Sequence, residues 1–510
     1  CDEGDCGACT VAVVERDADG RTTYRAINSC LTLLPMADGR EFVTVEGLAS
    51  GPGPAGLHPV QAAMVEHQGS QCGYCTPGFV VSLLEGYHRA GCGTPESVND
   101  QLCGNLCRCT GYRSIREAAL AVLAARNEAP PTGPLAARLE VPAVDPSPLE
   151  YGTVQGSFHR PASLAGLLAL LRAFPDARLV AGATEIAVEV NKKFRVFPRL
   201  VSVEAVPELA VLTPTPEGGW RIGGAVPLTA VEEKVAPGCP PLARMLRWFA
   251  SRQVRNRATL GGNLATASPI GDSAPVLLAL DAALVLSSAE GDRTLPLAAF
   301  FTGYRRTVLR PGEIIREIVL PPYAAAEGCT RRADFLKVSH RRELDISIVS
   351  SAFVVDTDAA GVVRHARLAY GGVAERPLRA IEAEAALVGR PVGEATEAAA
   401  DALARAFTPI SDVRSGAEYR RALITSLWLR FAQDGRSAVH EDGAGYAAGT
   451  PWPVDDASRR LLHESAVGHV TGGARYVDDL PLARGALVVH LVCSPYARAR
   501  IIRRDATRAR

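Results

Sequence analysis

The sequence predicts a multidomain α+β protein, and three observations lead there. The chain has 510 residues, a mass of 53.8 kDa and 47% hydrophobic residues, more than one core organises, so it should divide into units of roughly 100 to 200 residues. Pro130, Pro131, Pro134, Pro142, Pro146 and Pro148 crowd the stretch 127–152, where neither helix nor sheet propagates well and extended backbone is favoured. Elsewhere short strand-like and helix-like segments alternate without a fixed-period repeat, the mixture of an α+β fold.

Taken in order, Thr10 to Glu15 and Arg21 to Ile27 flank the turn Asp17-Ala18-Asp19-Gly20 and read as a hairpin. Thr76-Pro77 is a cap followed by proline at the first helical position, opening a helix that should stop near Gly91. Asn99 to Leu106 reads as helical, and Ser114-Ile115-Arg116-Glu117 has the form of a capping box. Ile115, Ala119, Val122 and Leu123 then put an apolar stripe on the helix that it starts. Beyond the proline-rich stretch, Ser163 to Phe174 and Leu242 to Ser251 read as helices, Arg178 to Ala181 and Trp220 to Gly223 as strands. Phe335 to Val355 and Val362 to Tyr370 look like strands before alanine-rich helices that run to about Ala432, a second, smaller α+β unit.

Lysine plus arginine equals aspartate plus glutamate at 55 each, so no charge footprint points to nucleic acid or an anionic membrane surface. The longest apolar run, Ala274 to Leu286, is broken by Asp281 and falls short of the roughly 20 residues of a membrane span. The chain begins without methionine and stops in polar sequence at Arg510, so it is expected to be a piece of a longer polypeptide. Of thirteen cysteines, ten fall between Cys1 and Cys109. The cysteine-poor, core-rich remainder suits a reduced compartment, which favours metal ligation over a disulfide framework.

Cys1, Cys6 and Cys9 have the C-x4-C-x2-C spacing of a plant-type [2Fe-2S] loop, with Cys30 as a distant fourth thiolate. Gly4, Gly7 and Ala8 sit where backbone must wrap the sulfurs and aim amides at them. Zinc or a pair of disulfides is the plainer alternative, but zinc ligands usually come as two C-x2-C units. Cys72-Gly73-Tyr74-Cys75 precedes a helix, and Cys107-Arg108-Cys109 ends a later helical stretch. Two nearby helix starts would favour thiolate there; taken alone, this second set could equally hold zinc or act as a dithiol pair. Cys92 and Cys103 read as buried or incidental.

Two small-residue loops, Arg178 to Ile186 and Thr259 to Pro269, can present backbone amides to a pyrophosphate. Neither is a G-x-G-x-x-G fingerprint, and glycine turns after strands are commonplace.

Three segments carry a resemblance: Cys1-Asp2-Glu3-Gly4-Asp5-Cys6-Gly7-Ala8-Cys9-Thr10-Val11, Gly69-Ser70-Gln71-Cys72-Gly73-Tyr74-Cys75-Thr76-Pro77-Gly78 and Gly104-Asn105-Leu106-Cys107-Arg108-Cys109-Thr110-Gly111-Tyr112-Arg113. Together they resemble the xanthine dehydrogenase and aldehyde oxidase family of molybdenum hydroxylases. The likeness continues through Phe335-Leu336-Lys337, Tyr370-Gly371-Gly372 and Tyr419-Arg420-Arg421 and covers nearly the whole chain.

The resemblance implies a β-grasp [2Fe-2S] ferredoxin-like domain (1–52), a four-helix [2Fe-2S] domain (56–127), a linker (128–150) and an α+β FAD-binding domain (151–325). A small α+β flavoprotein C-terminal domain (330–433), a linker (434–458) and the start of a molybdenum-binding domain (459–510) follow. The first cysteine set would hold the cluster nearer the flavin, the second the cluster nearer the molybdenum-pterin cofactor, which Gln71 would reach. Leu179, Val180, Ala181, Gly182, Ala183, Thr184, Glu185, Ile186, Thr259, Asn263, Thr266, Asp272, Ile315 and Lys337 would line the FAD, with Phe249 packed on its ring. Without the likeness, Phe249 and Trp248 would pass as core aromatics, and Asp272 and Lys337 as solvated charges.

Arg341-Arg342-Glu343-Leu344-Asp345 corresponds to the family's charged loop beside the flavin, with Leu344 where vertebrate forms carry an acid. Val467-Gly468-His469-Val470-Thr471-Gly472 and Tyr476-Val477-Asp478-Asp479 resemble the opening of the molybdenum-binding portion. Its catalytic glutamate, substrate arginine and pterin loops are expected outside this sequence. The implied activity is that of a cytoplasmic xanthine dehydrogenase passing electrons from molybdenum through the clusters and FAD to NAD. The implied partners are the molybdenum-binding portion and a second complete unit in a homodimer. An aldehyde oxidase or other heteroaromatic hydroxylase is the alternative within the family, and a non-catalytic electron-transfer or zinc-bearing scaffold the alternative outside it.

Overall fold

The computed structural model describes residues 1–51, 53–433 and 462–487, with a few further positions beyond. The chain forms two compact units, Cys1–Gly473 and Ala474–Arg510. In the second unit the described backbone includes one short turn of helix, Val477–Asp479. The expected linker 434–458 lies outside the described residues.

The multidomain α+β expectation holds within the first unit. At its start the strands Thr22–Asn28, Thr10–Arg16 and Glu41–Val43 form an antiparallel sheet in that order. Alternation sends Ala12, Val14 and Tyr24 into the core, against the helix Thr76–His88. The helices Pro59–Glu66, Pro95–Leu102 and Arg113–Glu128 complete a four-helix group around the same core, and the expected stripe Ile115, Ala119, Val122 and Leu123 is buried in it.

Two capping expectations are corrected. Thr76 does not cap its helix: its hydroxyl donates to Ser70 Oγ at 2.9 Å, and Cys75 takes the cap position without a side-chain bond. The Ser114 box does not form because the helix starts two residues earlier, behind Tyr112 at φ 66°, and Glu117 accepts from Arg113 instead. The helix expected at Asn99 to Leu106 sits earlier, at Pro95–Leu102, behind Thr94, whose hydroxyl accepts from Ser97 N.

The stretch 127–152 is more ordered than its prolines suggest. Pro134 occupies the first turn of a short helix, Pro134–Leu139, and the hairpin satisfies the neighbouring carbonyls. Tyr24 OH donates to Leu135 O at 2.9 Å, Thr22 Oγ1 to Val141 O at 2.8 Å, and Arg16 to Ala143 O at 3.2 Å.

Two sheets follow. One orders Leu149–Thr153, Gly156–Arg160, Arg199–Ser202 and Arg178–Val180, the last three parallel to one another. The other is antiparallel, in the order Gly291–Pro296, Ala283–Ser288, Ile314–Leu320, Trp220–Gly223, Leu212–Pro214. A last antiparallel sheet runs Cys329–Val338, Val349–Asp358, Val363–Gly371, Leu378–Arg379, with the helices Val392–Ala406 and Ala417–Gln433 packed around Phe353, Tyr370, Trp428 and Phe431. The single strand expected from Phe335 to Val355 is therefore two, because the charged loop at 339–348 interrupts it. Among the described residues no helix is long and apolar enough to cross a membrane.

Candidate functional site: two cysteine sets and a deep cleft

The first cysteine loop turns through Gly4 and Gly7, both left-handed at φ 82° and 70°, which glycine adopts without strain. The Cys6 amide reaches Cys1 Sγ at 3.3 Å, and Asn28 Nδ2 reaches Cys9 Sγ at 3.9 Å. The Cys30 thiol donates to Cys9; that bond, with Asn28 and Ser29 behind it, brings the Cys9 pKa down to about 5. The same bond, then burial, pushes Cys30 up. Cys6 also lies close enough to act electrostatically on Cys30, so all four sulfurs share one neighbourhood.

The second set assembles from two helix entrances. Cys75 caps Thr76–His88, and Cys107 to Cys109 lie in the loop before Arg113–Glu128. Burial, and then the hydrogen bond with Cys107, raise Cys75 to about 12. Burial acts upward on Cys107, but the Thr110 hydroxyl at 3.1 Å and amide at 3.4 Å, with the Cys109 amide and the bond from Cys75, together prevail and lower the thiol. Cys109 is raised by its bond with Cys72. Among the described residues no three His, Cys, Asp or Glu side chains are placed to hold a single metal ion. The donor set offered is instead two groups of four sulfurs with amides and hydroxyls aimed at them, which fits a two-iron cluster with four terminal thiolates.

The two sets meet edge to edge, with Leu106 N donating to Cys6 O at 2.9 Å. Cys92 is buried in the helical core, and Cys103 turns its thiol to Asp100 O at 3.2 Å.

Leu179, Ala181 to Ile186, Phe249, Thr259, Asn263, Thr266, Asp272, Ile315 and Lys337 all line one cleft of about 1510 Å³. Val180 does not: strand alternation turns it away, fully buried, into the core behind the wall. The walls close because glycines permit it. A Cβ on Gly182 would lie 1.7 Å from Arg257 O, and one on Gly261 2.5 Å from Gly224 O. Thr259 Oγ1 accepts from Gly262 N at 2.9 Å, fixing the second loop. Asp272 and Lys337 are not solvated: they form a buried pair at 2.9 Å, with Ser347 Oγ donating to Asp272 and Lys337 Nζ also reaching Trp248 O.

Glu3, Asp5 and Leu31, from the first cysteine set, line the same cleft. The helix that leaves the first small-residue loop, Ile186–Lys193, is tied to that set: Asn191 Nδ2 donates to Cys30 O at 2.7 Å and Lys192 Nζ to Cys1 O at 3.2 Å. Arg341, Leu344 and Asp345 also line the cleft, and the Arg342 guanidinium lies 4.8 Å from the Trp248 ring centre. Gln71 stands exposed on the loop that carries Cys72. Beside it His469 touches Gly73 and hydrogen-bonds Ser70 Oγ through Nδ1 at 2.9 Å.

The contribution of Glu3, Asp5 and Leu31 escaped sequence reasoning, as did a buried polar seam around Glu85, Arg252 and Gln253. Arg252, Gln253 and Arg255 are polar or charged residues in one short run, and no local pattern marks them as interior.

Two sets of four cysteines beside a deep cleft walled by small-residue loops fit a class, the iron-sulfur flavoproteins that move electrons between separate redox sites. Family models match three stretches of the chain. The [2Fe-2S] binding domain matches residues 44–120, the FAD binding domain in molybdopterin dehydrogenase matches 152–323, and the CO dehydrogenase flavoprotein C-terminal domain matches 334–434. Xanthine dehydrogenase 2 of Arabidopsis thaliana is 31% identical over all of this chain and 44% of its own length. Xanthine dehydrogenase/oxidase of Gallus gallus is 30% identical over all of this chain and 45% of its own. Among solved structures, carbon monoxide dehydrogenase from Hydrogenophaga pseudoflava is similar at TM-score 0.50 and 31% identity, over 54% of this chain and 94% of that one. The chain belongs to the xanthine dehydrogenase family of molybdenum hydroxylases, as its iron-sulfur and FAD portion. It spans less than half the length of the curated relatives it matches.

Proposed function

We propose that this chain is the electron-transfer portion of a cytoplasmic xanthine dehydrogenase that oxidises hypoxanthine and xanthine to urate. In this reading Cys1, Cys6, Cys9 and Cys30 hold one [2Fe-2S] cluster, Cys72, Cys75, Cys107 and Cys109 hold the other, and the cleft holds FAD. When bound, these groups supply one-electron transfer at the clusters and two-electron chemistry at the flavin, between a molybdenum centre in the remaining portion and NAD.

The protein's own residues position and tune. Gly4 and Gly7 let the first loop wrap its sulfurs, and two helix entrances bring the second set together, with Thr110 favouring thiolate at Cys107. Phe249 offers a ring face in the cleft, while the Lys337–Asp272 pair keeps a cation fixed at its wall. Gln71, exposed next to Cys72, is the residue that would meet the pterin in the remaining portion.

One observation carries the reading. The first cysteine loop is itself a wall of the cleft, through Glu3, Asp5 and Leu31, and hydrogen bonds from Leu106 and Asn105, the residues just before Cys107, join it to the second set. That ordering supports a line from second set to first set to flavin. Assay of the full-length enzyme tests it: reduction of NAD with xanthine is expected. Turnover of aldehydes with dioxygen alone would favour an aldehyde oxidase, and quinoline 2-oxidoreductase from Pseudomonas putida 86, similar at TM-score 0.50 and 27% identity, keeps a heteroaromatic hydroxylase in view. The remaining polypeptide or a companion subunit, and a second complete unit, are the partners this function needs.

A further inference from the structure

Asn105 lies between the two cysteine sets and is 2% exposed. Its side-chain amide uses its full hydrogen-bonding capacity. Nδ2 donates to Gly7 O at 3.2 Å and to Thr10 Oγ1 at 3.3 Å. Oδ1 accepts from Ser82 Oγ at 2.6 Å and from Gln253 Nε2 at 2.8 Å. These partners come from three places: the first cysteine loop, the Thr76–His88 helix that Cys75 opens, and the flavin-binding region four residues after Phe249. Gln253 also donates to Ser82 Oγ at 2.9 Å, so the two amides and one hydroxyl close a buried triangle.

Three glycines clear the space. A Cβ on Gly7 would lie 2.3 Å from Gly104 O and 2.4 Å from Asn105 Nδ2, one on Gly78 2.2 Å from Gly7 O, and one on Gly104 2.1 Å from Gln253 Oε1. Backbones from both sets and from the helix are thus in contact around one amide. The next residue, Leu106, donates its N–H to Cys6 O at 2.9 Å and is bonded directly to Cys107. The shortest bonded route from Cys6 Sγ to Cys107 Sγ crosses that hydrogen bond.

We propose that Asn105, braced by Gln253, is a positioning residue that sets the separation and mutual orientation of the two cysteine sets, and so the rate of electron exchange between them. The proposal rests on the assignment of a cluster to each set. An electron exchanged there oxidises one set's cluster as it reduces the other's, and no bond forms or breaks. An aspartate at 105 would keep the shape and the two acceptor bonds but could not donate to Gly7 O. Buried beside a carbonyl, it would push the loops apart.

The test uses the full-length holoenzyme carrying Asn105→Asp. Two signals are read: the spin–spin splitting between the two reduced clusters in electron paramagnetic resonance, and the delay between cluster and flavin reduction in stopped flow. The expected result is wild-type iron content, a changed splitting, and flavin reduction slowed by up to roughly a hundredfold, the scale of a misplacement of about one ångström. Wild-type splitting and delay in an iron-replete variant would overturn the proposal. If N105D loses iron, Ser82→Ala, which removes one of the two bonds to Asn105 Oδ1, is read by the same signals. A smaller change in the same direction supports the proposal and no change refutes it. Wild-type enzyme with no iron at all would sink the cluster assignment instead, a result separable from either variant's.

Discussion

At Cys9 and Cys30 opposite shifts come from one hydrogen bond, so near neutral pH the pair holds a thiolate and a thiol sharing a proton. A two-iron cluster would replace that proton, and the account expects Cys30→Ser to remove the first cluster alone. Iron should fall from about four to about two per chain, two irons belonging to each cluster, with the second set's resonance signal intact. Loss of both signals would show the sets are not independent. Gly7 is a second sharp test. An alanine there needs a left-handed backbone at φ 70° and a Cβ 2.3 Å from Gly104 O, so Gly7→Ala should destabilise by about 2 to 4 kcal/mol. A melting temperature within a degree of wild type would contradict the packing described.

At the scale of elements, the wall of the cleft depends on Lys337 from the strand Cys329–Val338 and Asp272 at the start of the helix Ser273–Ala279. Their side chains are 5% and 7% exposed. Lys337→Met would leave the Asp272 carboxylate buried without its cation, still accepting from the neutral Ser347 hydroxyl, a change that typically costs about 3 to 5 kcal/mol. Unfolding by denaturant should show that loss, and the purified variant should retain less flavin; full flavin content at unchanged stability would refute the role.

This element-level picture was only partly legible in the sequence. The hairpin, the stripe from Ile115 to Leu123 and the strand Trp220–Gly223 follow from period and turn chemistry, signals that are local. Ser114 and Thr76 misled because tertiary partners decided their caps: Ser70 took the Thr76 hydroxyl, and Tyr112 started the helix before Ser114. Asp272 and Lys337 could not be told from surface charges, because the partner that buries each lies 65 positions away along the chain. The cysteine spacings announced the metal chemistry, whereas which wall of the cleft the first set occupies needed the fold.

At the scale of the molecule, a buried ionic seam joins the iron-sulfur half to the flavin half. Glu85, 1% exposed, accepts from Arg252 Nε at 2.9 Å, from Ala26 N at 3.0 Å and from Asn256 Nδ2 at 3.1 Å. Glu233 takes both arms of Arg25, at 2.7 and 2.8 Å, and Arg252 as well. Removing one member leaves its partners charged and buried, so Glu85→Gln should split thermal unfolding into separate transitions for the two halves. One wild-type transition would argue against the seam as the joint. Burial works upward on the Glu233 pKa, but the bonds and charges of Arg25 and Arg252 prevail and hold it at about 2, below the ordinary 4.5. A depressed carboxylate contributes stability that is complete above its unfolded value and lost as pH falls through the folded one. Glu233 should therefore contribute up to about 3 kcal/mol that is lost between roughly pH 4.5 and pH 2, at about 1.4 kcal/mol per pKa unit, a share of the acid dependence that Glu233→Gln removes.

The whole account depends on eight sulfurs holding two iron pairs beside a flavin. Metal analysis of the purified protein together with resonance spectra after reduction measures that directly. The account predicts about four irons and as many labile sulfides per chain, two distinguishable [2Fe-2S] signals, and a flavin absorbance band. A colourless protein containing zinc, or one in which Cys1, Cys6, Cys9, Cys30, Cys72, Cys75, Cys107 and Cys109 are joined as disulfides, would contradict it.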